Sequence, residues 1–109
     1  MNIEILDNDS YSTEDFLNYI KNIKIDNEND ILQLFSLVQR AWHWGSDFCH
    51  RSKNIEKAWY FYTGGWSGNE SILSHLRANI FLQAKCKVFK NNAITIYAWE
   101  EGNLNVPYI

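Results

Sequence analysis

The first third of the chain carries apolar side chains at helical spacing. Phe16, Ile20 and Ile23 recur at intervals of three to four residues after Ser12, which is a good N-cap residue. The pattern predicts a first helix over Thr13–Lys24, with Tyr11 and Phe16 placed to form a hydrophobic staple around its start.

A second apolar stripe follows at the i, i+3, i+4, i+7, i+11 positions that one face of a helix requires. It consists of Ile31, Leu34, Phe35, Val38 and Trp42. Asp26-Asn27 offers the N-terminal cap and Gly45 a C-terminal stop. Because the connection between the two helices is short, we expect them to form an antiparallel hairpin.

The rest of the chain mixes strand and helix patterns. Ala58–Thr63 is an aromatic run of strand length that ends at two glycines. A third helix, capped by Asn69 or Ser67, should carry Ile72, Leu73, Leu76, Ile80 and Gln83/Ala84 along one side. Lys85–Lys90 and Ala93–Trp99 flank Asn91-Asn92, a pattern typical of a β-hairpin. Met1–Leu6 fits an edge strand or an arm, 46–57 has no clear pattern, and 100–109 fits an irregular tail.

These elements follow the order α-α-β-α-β-β and predict an α+β fold. We expect an N-terminal helical hairpin, then β-α-β-β, with a small three- to four-stranded sheet packed on helices. The 109 residues fit one domain over 1–109, and 46% of them are apolar, an ordinary value for a globular protein.

The charge is unevenly distributed, although the net charge is only −3. Residues 1–30 hold eight acidic and two basic side chains, and the remainder is mildly basic. Asp7, Asp9, Glu14 and Asp15 could therefore dock on a basic partner, for instance a nucleic-acid-handling protein. Alternatively, these acids only stabilise the starts of helices.

The remaining composition excludes several protein classes. Cys49 and Cys86 are too few for a disulfide framework and too far apart for a zinc site. The start of the chain lacks a signal-peptide pattern, and no stretch approaches the ~20 apolar residues of a membrane helix. We therefore expect a cytosolic protein with reduced thiols, without cofactor, metal or membrane association.

The most distinctive segment lies between a predicted strand and a predicted helix. It reads Thr63-Gly64-Gly65-Trp66-Ser67-Gly68-Asn69-Glu70. Its glycines allow close approach of another group, and the following helix presents free N–H groups to an anion or an acidic side chain. We therefore expect ligand or partner binding here, with Trp66 as a stacking or anchoring ring. The alternative is a purely structural turn in which Trp66 fills the core.

Catalytic patterns are weak. His75 shares a predicted helix with Glu70, Ser71 and Ser74, but no nucleophile–base pair is evident. Trp42-His43-Trp44-Gly45 and nearby Cys49-His50 lack the paired spacing of zinc ligands. We assign no catalytic residue. A small enzyme using His75 or His43 remains one hypothesis.

Residues 63–70 resemble a segment of small, mostly uncharacterised bacteriophage and prophage proteins with a TGGWSGNE-like motif followed by an Ile/Leu-rich helix. The resemblance covers Trp59 to about Leu82. It implies a phage or mobile-element origin, for which action on host defence is the expected role. The first hypothesis is a non-catalytic inhibitor of a host defence system, anti-CRISPR or similar, that acts by protein–protein contact in the host bacterial cytoplasm. The alternative is a binder that sequesters a nucleotide or phosphorylated ligand through the glycine-rich loop. A homodimer is compatible with either.

Overall fold

Pairs of helices and pairs of strands follow one another along the chain in the computed structural model, which describes residues 4–8, 11–91 and 94–99. The helices are α1 (Glu14–Asn22), α2 (Glu28–Ala41), α3 (Ser67–Arg77) and α4 (Ile80–Lys85). The strands are β1 (Cys49–Arg51), β2 (Ala58–Tyr62), β3 (Lys87–Asn91) and β4 (Ile94–Ala98), and a short 3₁₀ turn at Gly45–Asp47 precedes β1. The predicted α+β class and the two N-terminal helices before the strands are confirmed. Asn92 of the predicted hairpin turn, and 100–109, lie outside the described residues.

The four strands form one antiparallel sheet in the order β1-β2-β4-β3. β1 comes from the segment 46–57 that had no clear pattern, and it pairs His50 with Tyr60. At the centre of the sheet, Phe61 on β2 lies opposite Thr95 on β4. Residues 4–8 add no strand to this sheet; Leu6 makes only an isolated bridge to Ser12.

The two faces of the sheet bury different clusters, because side chains alternate along each strand. One face packs on the helices, and its core includes Trp59, Phe61 and Tyr97. α1 packs mainly against α3 on this side. The opposite face carries a smaller cluster around Ala58, Ile96 and Ala98. Within the described chain, no helix has the length and apolar content needed to cross a membrane.

The start of α1 differs from the prediction by one residue. Thr13, and not Ser12, is the N-cap, since its Oγ1 accepts a hydrogen bond from the Phe16 N–H at 3.1 Å. The helix ends at Asn22 because Ile23 adopts an extended conformation with ψ 136°. The Tyr11 ring, which was expected beside Phe16, packs against the Trp66 ring.

The buried stripe of α2 is confirmed: all five of its predicted core residues are buried. Asn27 caps the helix by accepting from the Asp30 N–H at 3.0 Å. The predicted stop at Gly45 is too late. The helix ends at Ala41, because Trp42 turns extended with ψ 130° while its indole N–H donates to the Tyr62 carbonyl at 2.9 Å.

The predicted third helix is broken in two at Asn79, which is fully buried. Its Oδ1 accepts from the N–H groups of Phe81 and Leu82, each at 2.9 Å, and so begins α4. Its Nδ2 donates to the carbonyls of Ile20 and Ile23, each at 2.9 Å, and ties α4 to the end of α1.

This break corrects two details of the predicted helix. Ile80, expected on the buried side, is 72% exposed because α4 starts on a new axis. The N-cap of α3 is Trp66, and neither Ser67 nor Asn69 caps the helix.

We expect Asn79→Ala to lower the free energy of unfolding by about 2–4 kcal/mol, since four hydrogen bonds are lost and the carbonyls of Ile20 and Ile23 lose their donor. Urea denaturation measures the change. Asn29→Ala, an exposed position in the first turn of α2, is the control and should shift the free energy by less than about 0.5 kcal/mol. Equal effects of the two substitutions would contradict the assigned role of Asn79.

Candidate functional site

A single buried amide joins three elements next to the glycine-rich loop. Asn69, in the first turn of α3, is 0% exposed. Its Oδ1 accepts from the His43 N–H at 2.8 Å, and its Nδ2 lies 3.3 Å from the His43 carbonyl and 3.4 Å from the Thr63 carbonyl. The turn after α2 and the end of β2 are therefore held against the start of α3.

The turn that Asn69 holds places a tryptophan on the surface in a costly backbone conformation. Trp44 has φ 72°, in the left-handed region that few residues other than glycine adopt. Such a conformation costs roughly 1 kcal/mol or more and persists only where the surroundings enforce it. Trp44 is nevertheless 46% exposed, so its side chain contributes little to the core in return.

The glycines of the loop make room for tryptophan rings. Gly64 and Gly65 both have positive φ, 62° and 76°. A Cβ on Gly64 would overlap the Trp44 ring, and a Cβ on Gly68 would overlap the Trp66 ring. Two loop amides are already paired, since the N–H groups of Gly65 and Trp66 donate to the side chain and the carbonyl of Thr63. Gly64 and Gly68 thus lie against indole rings, whereas nothing lies within 4 Å of a Cβ placed on Gly65.

Six aromatic rings touch one another in an unbroken row, which we call the aromatic ridge. Its members, in order of contact, are Tyr11, Trp66, His43, Trp44, Phe48 and Tyr62. His43 stacks on Trp66 with ring centroids 4.3 Å apart and planes at 23°, and the Tyr11 and Trp66 ring centroids are 4.8 Å apart. Every member is at least partly exposed. The Trp66 side chain is therefore partly exposed and does not fill the hydrophobic core.

The ridge begins at the acidic N-terminal region. The Asp7 carboxylate accepts from the Tyr11 N–H at 3.0 Å, and the backbone N–H of Asp7 donates to the Tyr11 carbonyl at 2.7 Å. Asp7 therefore shapes the loop that presents Tyr11. Glu14 and Asp15 are exposed in the first turn of α1. Asp9 lies outside the described residues. Of the predicted acidic set, Asp7 is thus linked to Trp66 of the predicted loop through Tyr11.

The remaining predicted loop residues divide by exposure. Ser67 and Glu70 are exposed, and the Ser67 hydroxyl lies 3.5 Å from the Tyr11 hydroxyl. Thr63 and Gly68 are buried, as is Asn69. The surface-accessible part of the predicted site therefore consists of Gly64, Gly65, Trp66, Ser67 and Glu70.

The histidines are engaged in local contacts. The Nδ1 of His75 lies 2.8 Å from the Ser71 carbonyl one turn earlier, so that nitrogen carries the proton. His50 stacks on Tyr60 with centroids 4.9 Å apart. Among the described residues, no group of three or more His, Cys, Asp or Glu side chains could hold a metal ion.

Both cysteines are buried thiols with low reactivity. Burial raises the pKa of Cys49 from 9.0 to about 12, and the hydrogen bond from the Trp59 indole at 3.4 Å only partly opposes this. Burial likewise raises the pKa of Cys86 to about 12 and that of Tyr97 from 10.0 to about 12. Because the thiolate is the reactive form, neither cysteine is a nucleophile at neutral pH.

A cavity of about 460 Å³ adjoins the glycine-rich loop on the side of β3 and β4. Its lining includes Thr63 and Glu70 from the predicted site, together with Arg77, Lys90 and Thr95. Arg77 and Lys90 belong to the mildly basic part of the chain, but the sequence does not indicate that they meet. Nothing in the sequence indicates a binding role for Thr95, since threonine is common in strands.

Comparison of the chain with protein-family models, curated proteins and solved structures finds no match.

We expect Gly64→Ala to destabilise the fold more than Gly65→Ala. Both glycines have positive φ, so both substitutions carry a backbone cost of about 1 kcal/mol. Only a Cβ at Gly64 meets the Trp44 ring, whereas nothing lies within 4 Å of one at Gly65. The difference in unfolding free energy, measured by urea denaturation, should exceed about 1 kcal/mol. Equal losses would show that the Trp44 ring does not rest on Gly64.

We expect stability to fall as the pH rises from about 9 to about 12, because the pKa values of Cys49, Cys86 and Tyr97 are all raised in the folded state. The unfolded chain loses these protons first, so the stabilisation is complete below about pH 9 and is lost above it. Each group contributes up to about 1.4 kcal/mol per pH unit. Urea denaturation at several pH values tests this, and Cys86→Ala should reduce the slope. An unchanged slope in that variant would contradict the burial of the Cys86 thiol.

Proposed function

We propose that this protein is a non-catalytic inhibitor, encoded by a phage or mobile element, that binds a host defence protein through the aromatic ridge. The observation that carries the proposal is Trp44, a large apolar side chain held 46% exposed on a left-handed backbone. Burial in the protein's own core does not compensate for this conformation. Contact of the Trp44 side chain with a partner compensates for the cost of this backbone conformation, and strained residues cluster at binding sites for that reason.

The composition of the ridge supports protein–protein contact. Tryptophan and tyrosine are enriched among the residues that dominate binding energy, and four of the six ridge residues are of these two types, the others being His43 and Phe48. Rings that stack on one another have little freedom to lose on binding. The Asn69 amide adds to this by fixing the backbone of His43. The ridge is therefore preorganised for a partner.

The charge next to the ridge supports a basic partner. Glu14 and Asp15 are exposed on the first turn of α1, close in sequence to Tyr11 at the end of the ridge. Complementary charge accelerates encounter and selects among partners. Defence effectors that handle nucleic acid carry basic surfaces, so such an effector in the host cytoplasm is the proposed partner.

The proposal is tested by expressing the protein in bacteria that carry one active defence system at a time and measuring the plating efficiency of a sensitive phage. We expect restored plating for one system, and loss of the effect in Trp44→Ala. With the purified effector, Trp44→Ala should raise the dissociation constant about 30-fold or more, as expected for a central aromatic anchor. Ile80→Ala is the matched control, because Ile80 is 72% exposed and lies outside the ridge.

Charge and self-association are tested with the same proteins. Glu14→Gln combined with Asp15→Asn should slow association at low salt and flatten its salt dependence. Failure to protect phage against any defence system would contradict the inhibitor role. Equal binding by the Trp44 and Ile80 variants would exclude the ridge as the docking surface. A dimer in light scattering that Trp44→Ala dissociates would identify a second copy of the chain as the occupant of the ridge.

A further inference from the structure

The cavity beside the glycine-rich loop has the size of a small-molecule site. Its volume of about 460 Å³ falls within the range of about 300–1,000 Å³ typical of ligand pockets. α3 contributes Glu70, Leu73 and Arg77 to its lining, β3 contributes Lys90 and β4 contributes Thr95. The cavity thus lies between α3 and the ends of two strands.

A buried hydroxyl without a partner lines this cavity. Thr95 is 1% exposed, and within the described chain its Oγ1 has no hydrogen-bond partner. Its neighbours across the sheet are Phe61 on β2 and Lys90 on β3, so it stands on the sheet face that packs on the helices. Burying a hydroxyl without a hydrogen bond is unfavourable, and valine would fill the same volume without that cost. The fold alone does not account for threonine here.

Two cations in the same cavity have no carboxylate partner. Among the described residues the one ion pair joins Lys24 to Asp26 at 4.0 Å, so neither Arg77 nor Lys90 is engaged in one. Glu70 precedes Arg77 by two helical turns and lies on the same side of α3. One carboxylate against two cations leaves the cavity with an excess of positive charge, although the whole chain is acidic.

We propose that this cavity binds a small phosphate monoester. Arg77 and Lys90 bind the phosphate oxygens, and the Thr95 hydroxyl donates to one of them. A phosphate suits this set because it offers three acceptor oxygens and up to two negative charges. Glu70 can only accept hydrogen bonds when ionised, so it selects an organic part with hydroxyl or amino donors, such as a pentose or a base.

The anion site is distinct from the aromatic ridge. None of the ridge residues is among the described residues that line the cavity. The loop joins the two, with Trp66 on the ridge and Thr63 in the cavity wall. The proposal does not depend on the inhibitor role, and each can fail without the other.

Isothermal titration calorimetry on the full chain tests the proposal with inorganic phosphate, ribose 5-phosphate and adenosine 5′-monophosphate. Adenosine, which lacks the phosphate, is the matched ligand control. We expect saturable binding of the phosphorylated probes, and binding of adenosine at least tenfold weaker than that of its monophosphate. No heat from any phosphorylated probe up to about 10 mM would overturn the proposal.

Charge variants locate the site. Arg77→Gln and Lys90→Gln should each weaken binding of adenosine 5′-monophosphate about tenfold or more. Arg40→Gln on α2 and Lys87→Gln on the opposite sheet face remove the same charges elsewhere and should change binding less than about twofold. Glu70→Gln should strengthen binding of inorganic phosphate. It should therefore reduce the ratio between the affinity for adenosine 5′-monophosphate and the affinity for inorganic phosphate. If the Lys87 and Lys90 variants weaken binding equally, the assignment of the phosphate site to this cavity is overturned.

The two threonines of the cavity should respond in opposite directions. Thr95→Val should raise the melting temperature by about 4 °C or more, because it removes a buried unpaired hydroxyl, and it should weaken phosphate binding about fivefold. Thr63→Val should lower the melting temperature, since the Thr63 hydroxyl accepts from the Gly65 N–H at 3.3 Å. A Thr95→Val protein that is destabilised, or that binds the nucleotide as tightly as the original, would contradict the role of Thr95.

A last comparison separates a small molecule from nucleic acid. A 5′-phosphorylated oligonucleotide should bind no more tightly than adenosine 5′-monophosphate, because the cavity holds one compact ligand. Binding of the oligonucleotide more than tenfold tighter, with a strong salt dependence, would replace the proposed ligand class by a nucleic-acid end.

Discussion

The corner of the molecule that carries both proposed sites depends on the side chain of Asn69. Its amide is buried and spans two backbone segments, the turn at His43 and the strand end at Thr63. Buried polar groups of this kind stabilise a fold only when they are fully paired, and they then specify one arrangement. Asn79 has the same role at the far end of α3, where it holds α1 and α4 together. Two buried amides thus fix both ends of one helix.

The glycine-rich loop has a different chemistry on each of its two sides. Toward α2 it supports indole rings, because Gly64 and Gly68 leave space for Trp44 and Trp66. Toward β3 and β4 it closes a cavity with two cations and an unpaired hydroxyl. Occupation of the cavity and contact at the ridge would both act on the backbone between Thr63 and Trp66. The two surfaces are therefore placed where one could bias the other.

Elements with a long and regular apolar periodicity were predicted correctly from the sequence. The prediction failed where contacts with residues distant in sequence determine the local structure. The stripe of α2 was correct because five apolar residues repeat at one spacing. The break at Asn79 was missed because its partners, the carbonyls of Ile20 and Ile23, lie more than 50 residues away in sequence. The sequence singled out the loop residues as a hypothesis, and it did not indicate the ridge, since Tyr11 meets Trp66 only through the fold. Thr95 could not be predicted, because its lack of a partner is a tertiary property.

The order of the strands in the sheet has a consequence for how the chain reaches its native state. β2 pairs with β4, and α3, α4 and β3 lie between them in the sequence. The central ladder therefore forms only after a long loop closes, which slows folding compared with a local hairpin. Until that closure, the edge of β2 that pairs with β4 has free backbone N–H and C=O groups and is prone to pair with other chains. During synthesis on the ribosome, β3 and β4 emerge after β1 and β2, and their pairing completes the sheet.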